Sequence, residues 1–405
     1  MQIFRIALRN IWRQRRRTVL TILTMFGGFT LASISIAWSD GTYNSIINMF
    51  TRNRLGHIQV HSEGYLDRPS LYKTIDDFHT IGENIEALEG VESWAPRLYS
   101  AGLVSVGEKS AGTRIIGIDP AKENETTRFL NKITRGRGFF SQPSHEAILG
   151  KGLAEVLGAE LGDTAIIISQ AADGSIANDL YTVIGIYESG GEGSDRAVFY
   201  LHLQDAQELL TLQDRVHEII VIANRLRDVK GLTREIESVV GDRGLSVAPW
   251  QEFARSFYNA MMADKQGAWI MIFVIMLIVA VGVMNTVLMT VMERRREYGL
   301  LRAVGTPPGQ IVQMVLAETA AMAIMSIAVG ILVSLIVNYM LSLHGIKIPE
   351  PITYGGVEFT TLKTELNLRS YLIPAVIVFF VGVVVSIFPA GRAARVAPAK
   401  AMRMG

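Results

Sequence analysis

The sequence predicts an α-helical membrane protein with four transmembrane helices and a large α+β domain outside the cytoplasm. Four apolar runs are each long enough to cross a bilayer, for which about 20 helical residues suffice. One long polar stretch, residues 40–265, is large enough for a core of its own. The mean hydropathy of +0.28 is high for a soluble chain, because part of the sequence suits lipid.

The first 17 residues predict a basic amphipathic helix on the cytoplasmic membrane surface. Phe4, Leu8, Ile11 and Trp12 recur at helical spacing among arginines. Residues 18–39 then predict the first transmembrane helix. The alternative is a cleaved signal peptide, but the apolar run exceeds the usual core of about 7–15 residues, so we favour a retained anchor.

Residues 40–265 predict a periplasmic domain built from two similar strand–helix–strand units, which begin near residues 56 and 217. Two such units can pair into a split βαβ sheet. Between them, residues 107–215 alternate short strands with turn signals and predict an inserted β-rich subdomain.

The rest of the chain predicts three more crossings. Residues 250–265 look helical and lead into the second span as a stiff rod. Arginine and lysine placement puts both termini in the cytoplasm. The predicted segments are transmembrane helices at 266–292, 311–343 and 371–390, a cytoplasmic helix and turn at 293–310, a short periplasmic loop at 344–370 and a cytoplasmic tail at 391–405.

The arginine-rich break between the second and third spans also carries apolar residues at helical spacing. Tyr298, Leu300, Leu301 and Val304 fall near one face. Such a helix outside the membrane can fit a groove on a partner protein. The alternative is an ordinary loop whose arginines only set the topology. We favour the partner, because orientation does not require the apolar residues.

The chain lacks the motifs of a self-sufficient enzyme. It contains no G-x-x-x-x-G-K-[ST] phosphate loop, so the chain is not expected to hydrolyse ATP itself. It has no cysteine and no H-E-x-x-H pair, so we expect no catalytic residue, metal site or cofactor in this chain. A net charge of +1 gives no drive toward nucleic acid.

Two polar residues fall inside predicted spans. Glu318 is either a functional acid or an acid paired with an arginine such as Arg302 or Arg392, and we favour the pair. Asn285 can hydrogen-bond across helices, and we favour this packing role over substrate contact.

A candidate substrate path lies where the predicted rod meets the membrane. Methionines there offer an adaptable apolar surface for acyl chains, although lipid-facing or core positions are the commoner use. The aromatic residues fit an interfacial belt as well as a gate. The candidate residues are Phe253, Phe257, Tyr258, Met261 and Met262.

Several segments together resemble the MacB-like (type VII) ABC transporter permeases, and within them the lipoprotein-releasing LolC/LolE group. The order and spacing of these segments carry the resemblance, which covers nearly the whole chain. The segments are IGIDPAKE (116–123), EAILGKGLAEVLGAELGD (146–163), YTVIGIY (181–187), ERRREYGLLRAVGTPPGQI (293–311), LAET (316–319) with Gly330, and PAGRAARVAPAKAMR (389–403).

The resemblance implies a bacterial inner-membrane permease with a porter-like outer subdomain that works by mechanotransmission. It implies two copies of a separate ABC ATPase, docked on Glu297, Tyr298, Leu300, Leu301, Arg302, Val304 and Gly305. Arg294, Arg295 and Arg296 would meet an acidic rim or lipid headgroups. A second permease, identical or homologous, would complete the pathway, and lipoproteins or other lipid-anchored molecules would be the substrate.

One departure concerns the carrier. LolC-type permeases carry a protruding hook between two strands that recruits the lipoprotein carrier, whereas residues 169–180 are short and lack proline. Recruitment of a periplasmic carrier or adaptor therefore stays open. Two alternatives remain: a MacB-like exporter of peptides or amphiphiles, and an FtsX-like or BceB-like signalling permease.

Overall fold

A computed structural model of the chain describes residues 15–189, 195–354 and 357–396. Most of the predicted amphipathic helix and residues 397–405 of the predicted tail lie outside this part. The chain forms two compact units. We call one the helical unit, from Met1–Tyr43, Met261–Lys347 and Thr361–Gly405, and the other the sheet unit, from Asn44–Ala260 and Ile348–Thr360.

Among the described residues, four helices are long and apolar enough to cross a membrane, which agrees with the predicted number. A short helix, α9, lies between the second and third of them. The helices in chain order are α1 (Arg15–Phe50), α2 (Phe78–Glu86), α3 (Pro120–Thr127), α4 (Lys151–Leu157), α5 (Leu203–Leu209), α6 (Val229–Val240), α7 (Trp250–Phe253), α8 (Arg255–Glu293), α9 (Arg295–Ala303), α10 (Pro308–His344) and α11 (Arg369–Ala394).

Glycines let α1 pack closely against two of the other long helices. A Cβ atom on Gly330 of α10 would lie 2.4 Å from Cδ1 of Phe29, and one on Gly382 of α11 would lie 2.6 Å from Cε of Met25. Phe29 and Met25 are fully buried. Helices in lipid gain stability from such close contacts between small residues and neighbouring side chains.

The sheet unit is built on one ten-stranded sheet in the order β12-β1-β11-β3-β4-β9-β6-β8-β5, with β7 joined to β3 and β8. A two-stranded sheet pairs β2 with β10, and another pairs β13 with β14. The strands are β1 (Ile58–Ser62), β2 (Ile75–Asp76), β3 (Val91–Val106), β4 (Lys109–Ile118), β5 (Ile133–Gly136), β6 (Glu146–Gly150), β7 (Thr164–Gln170), β8 (Ile176–Tyr187), β9 (Val198–His202), β10 (Arg215–Val216), β11 (Glu218–Ala223), β12 (Leu245–Pro249), β13 (Ile346–Tyr354) and β14 (Val357–Leu362).

The first four strands in that order form the predicted split βαβ arrangement. β1–α2–β3 and β11–α6–β12 are the two strand–helix–strand units, and their strands interleave as β12-β1-β11-β3, all antiparallel. The central strand β11 is buried along its whole length, which explains its continuous apolar run.

The inserted β-rich section closes into a ring of six strands, β3-β4-β9-β6-β8-β7, because β7 pairs back onto β3. The long strand β3 belongs to both parts: Val91 to Arg97 pair with β11, and Gly102 to Ser105 pair with β7. A Cβ at Gly102 would lie 2.5 Å from the Ile168 carbonyl oxygen, so glycine permits this junction.

The connection between α10 and α11 contains a feature that the sequence reading missed. It was expected to be a short loop, and it contains the strand pair β13–β14. The two prolines in β13, Pro349 and Pro351, masked the strand signal, because proline cannot donate to a strand ladder.

Candidate functional site: a coupling segment rooted by a buried ion pair

The segment between α8 and α10 turns sharply twice. α8 ends at Glu293, Arg294 leaves helical geometry with φ −88° and ψ 11°, and α9 begins at the next residue. At its other end, Gly305 adopts φ +98°, and the Thr306 N–H donates to the Leu301 carbonyl oxygen at 3.0 Å. Glycine with a positive φ ends helices because it has no Cβ penalty. Pro308 then starts α10, where its missing N–H costs nothing.

Arg294 forms a buried ion pair with Glu318 of α10. Its Nη1 donates to both carboxylate oxygens, at 2.9 and 3.1 Å, and each side chain is only 10% exposed. Its Nε also donates to Glu297 at 2.8 Å. A charge buried in a membrane protein must be paired to be tolerated. Glu318 is therefore paired with an arginine, as predicted.

The arginine itself differs from the two that were expected. Arg302 instead donates to the Thr306 carbonyl oxygen at 3.1 Å and so closes the end of α9. Arg294 was expected on an acidic rim or at lipid headgroups, and this was wrong, because the tight turn between α8 and α9 buries it.

Tyr298 faces the interior of the helical unit. Its ring is fully buried in an apolar cluster that includes Val291, Ile311 and Val315, and the Arg294 guanidinium carbon lies 5.3 Å from its centroid. An arginine over a tyrosine face is an attractive cation–π contact. The expectation that Tyr298 enters a partner's groove conflicts with this burial, since the bundle already encloses the ring.

The opposite face of α9 is apolar and open. Leu300 is 59% exposed, Leu301 37% and the following Val304 81%. Arg295 and Arg296 are also exposed beside them. Clustered exposed apolar side chains with a polar border are typical of an interaction surface. α9 therefore has an inward face that fixes it to the bundle and an outward face that is exposed in the part of the chain that the structure describes.

The candidate aromatic path is a packed cluster within the sheet unit. Phe257 is 9% exposed and stacks on Phe50 with 4.0 Å between ring centroids. Trp250 meets Phe257 and Tyr258 edge to face, at 6.2 and 5.6 Å. Phe253 belongs to the separate turn α7, so the rod helix starts at Arg255 rather than at Trp250. Burial of Phe257 conflicts with a free gate-lining role for it.

The other candidates in the long helix differ in exposure. Met261 is 3% exposed and Met262 is half-buried, whereas Asn285 is exposed on α8. Met261 is thus enclosed and does not line an open path in this chain. The cross-helix hydrogen bond of Asn285 stays a prediction.

A charged cluster in the helical unit was missed by the sequence reading. Asp40 lies 3.7 Å from Lys265 and 3.9 Å from Arg369, and it accepts a 3.0 Å hydrogen bond from Asn367. A signal was available: these residues flank the first, second and fourth apolar runs on one predicted side of the membrane. Opposite charges at the ends of membrane spans on the same side of the membrane can form ion pairs.

Two family models match the chain. One, described as the MacB-like periplasmic core domain, covers residues 18–239, and the other, described as the FtsX-like permease C-terminal, covers residues 269–398. The chain belongs to the MacB-like permease family. The predicted resemblance and fold class are thereby confirmed.

Two of the relatives match 98% of this chain. The lipoprotein-releasing system transmembrane protein LolC of Neisseria meningitidis is 23% identical over 419 residues, covering 98% of both chains. The macrolide export ATP-binding/permease protein MacB of Campylobacter jejuni is 24% identical, covering 98% of this chain and 61% of that protein. The crystal structure of the periplasmic region of MacB from Actinobacillus actinomycetemcomitans matches with 18% identity and a TM-score of 0.37, over 50% of this chain and 92% of that one.

The chain is thus an ABC transporter permease of the MacB/LolC type, with membrane-spanning helices and a periplasmic domain. Members of this family work with a partner ABC ATPase, and the family assignment makes this chain an inner-membrane protein.

Proposed function

We propose that this permease works by mechanotransmission and extracts lipoproteins or other lipid-anchored substrates from the outer leaflet of the inner membrane. A separate ABC ATPase would supply the force at α9. The observation that carries the proposal is the two-faced construction of α9. Leu300, Leu301 and Val304 are exposed together, while Tyr298 and Arg294 fix the same helix to the bundle.

If α9 transmits a displacement, it must be held firmly where it joins the other helices. Arg294 joins the start of α9 to Glu318 of α10 through two hydrogen bonds, and Tyr298 fills the core between them. Protein interiors are close-packed and transmit displacement instead of absorbing it. A push on the exposed face of α9 would therefore reach α8 and α10 directly.

The assembly we propose has two permeases and two ATPases, with the termini and α9 in the cytoplasm. Four spans per chain are few for a pathway, so a second permease, identical or homologous, would complete it. The name of the Neisseria relative, a lipoprotein-releasing protein, supports the lipid-anchored substrate.

A second candidate function is export of peptides or amphiphiles without a lipoprotein carrier. Its support is the turn between β7 and β8, where a LolC-type hook would protrude. Residues 171–175 form a tight turn in which the Ala171 N–H donates to the Ser175 carbonyl oxygen at 3.0 Å, with Gly174 at φ +89°. A turn this short offers little surface to a carrier.

The coupling proposal is tested by Leu301→Asp. A charge on the exposed apolar face would have to be desolvated in the ATPase groove, which costs roughly 1–3 kcal/mol or more and weakens binding at least about fivefold. The measurements are copurification of the ABC ATPase and ATP-driven release of a lipid-anchored protein from proteoliposomes.

The matched control is Leu161→Asp, the same change at a leucine of similar exposure, 40%, in the sheet unit. It should leave association and release intact. Survival of both activities in Leu301→Asp would show that α9 is not the docking site.

A further inference from the structure

The sheet unit contains a cavity of about 650 Å³, which is within the volume range of small-molecule sites. Side chains of β3, β4 and β11 contribute Arg97, Tyr99, Arg114 and Glu218 to its wall. The chain between β1 and β2 adds Tyr65 and further apolar residues. The site is separate from the coupling segment and does not depend on what the permease transports.

The deep part of the cavity is a satisfied charge network. Arg97 donates from Nε and Nη2 to Glu123 at 3.0 and 2.6 Å, and from Nη1 to the Arg54 carbonyl oxygen at 2.5 Å. Glu218 accepts from the Tyr99 hydroxyl at 3.1 Å and lies 3.1 Å from His61 Nε2. Because each of these groups already has a hydrogen-bond or ion-pair partner, the network needs no further partner from a ligand.

Two further arginines line the same cavity without a carboxylate. Within the described part of the chain, no acidic side chain lies within 4.0 Å of the guanidinium of Arg54 or Arg114. Three arginines against two glutamates leave the wall with one net positive charge. A guanidinium facing a cavity binds carboxylate or phosphate oxygens in a bidentate way.

The remaining surface is aromatic and aliphatic. Tyr187 and Tyr200 are 3% and 9% exposed, with 5.0 Å between their ring centroids, and both face this space together with Phe253 and Ile116. Tyrosine offers an apolar ring and a polar tip, which suits a ligand with both kinds of surface.

The geometry points to a binding site for a small amphiphile with an anionic head group. We propose that Arg114 and Arg54 hold the head and that Tyr187, Tyr200 and Phe253 hold the apolar part. A peptide is a poorer fit, because β11 is paired on both sides and β3 has one unpaired side only over residues 98–101, between its pairs with β11 and with β7, which is a short edge for strand addition. The head group could be the carboxylate of a fatty acid or the phosphate of a lysophospholipid.

The test is photocrosslinking on the full-length permease in nanodiscs. A diazirine-bearing dodecanoate and a diazirine-bearing dodecyl phosphate serve as the two probes, and mass spectrometry locates the labelled peptides. We expect label on peptides of β8 and β9, displaced by the unlabelled anion and not by dodecyltrimethylammonium. The more strongly retained probe identifies the head group.

Arg114→Gln should weaken labelling about tenfold or more, since a hydrogen bond to a charged group is worth roughly 1.5–3 kcal/mol. Arg114 is exposed, so the change should leave trypsin resistance unchanged. Arg135→Gln, an exposed arginine on β5 outside the cavity, is the matched control. Arg114→Lys should keep part of the labelling.

Three results would overturn the proposal: equal displacement of the label by dodecyltrimethylammonium, unchanged labelling in Arg114→Gln, or label confined to the four long helices. Displacement by an acidic peptide but not by the anionic amphiphiles would assign the cavity to a peptide instead.

Discussion

Among the described residues, each unit of the permease contains one buried arginine with two carboxylates. In the sheet unit, Arg97 lies between Glu123 and Glu218, which are 2% and 8% exposed. In the helical unit, Arg294 pairs with Glu318, 10% exposed, and with Glu297, 43% exposed. The first cluster is enclosed, whereas the second is fixed on one side and open to solvent on the other.

The difference shows that a buried arginine paired with carboxylates can have two structural roles. An enclosed network holds its surroundings in one arrangement, because any lost partner leaves a buried charge. A cluster with one exposed carboxylate can exchange that partner at low cost, since exposed ion pairs contribute little. Arg294 is therefore suited to a junction between helices that transmits force. Arg97 is suited to a part of the sheet unit that keeps one conformation.

The largest effect that tests this comparison is expected from Glu123→Ala. Removing one member of a buried pair costs about 3–5 kcal/mol, because Arg97 would retain only Glu218, at 3.7 Å, to balance its charge. Native-state hydrogen exchange of the full-length protein should show β3 and β11 losing protection by that amount.

Glu125→Ala provides the control, since Glu125 is an exposed glutamate on the same helix, α3. It should change protection by less than about 0.5 kcal/mol. Equal effects from the two substitutions would mean that the buried glutamate contributes no more to stability than an exposed one.

A smaller loss, about 2 kcal/mol, is expected from Glu318→Ala, because Arg294 keeps its hydrogen bond to Glu297, which is 43% exposed. Thermal unfolding of the purified permease in detergent measures it. Gln313→Ala, at an exposed position on the same helix, should leave the midpoint unchanged. A loss as large as that of Glu123→Ala would erase the proposed difference between the clusters.

The smallest effect concerns pH and is expected only in the sheet unit. Burial, together with nearby Arg52 and against the pull of Glu92, lowers the pKa of His57 to about 4. Its Nδ1 accepts a 3.0 Å hydrogen bond from the Ala223 N–H. Below pH 6.5 the His57 side chain takes up a proton in the unfolded chain, whereas in the folded chain it stays neutral down to about pH 4. The free energy of unfolding therefore falls as the pH drops through this window.

The loss should be about 1 kcal/mol between pH 7.5 and pH 6. Hydrogen exchange of β11 at the two pH values measures it. His57→Gln should remove most of this loss, while His79→Gln, at an exposed histidine, should not. An unchanged slope in His57→Gln would contradict the assignment.

The two clusters also differ in how far the sequence could predict them. Glu318 interrupts an apolar run, so its burial and its need for an arginine were visible. Nothing marked Arg97, Glu123 or Glu218, because charged residues are ordinary in a polar stretch and these three are far apart in the chain. The burial of Tyr298 was missed for a different reason. The sequence placed it on one face of α9 with the leucines and the valine that follow it, and this was wrong, because Tyr298 packs inward while those residues are exposed.

By itself, the sequence determined the four spans, the two strand–helix–strand units and the family, because apolar run length and motif order are properties of the chain. Only the tertiary structure decided that β3 serves both the split sheet and the ring, that Arg294 pairs with Glu318, and that three arginines meet at one cavity. These outcomes depend on which distant segments pack together. That choice is made by close packing and by the pairing of buried charges, which no local pattern records.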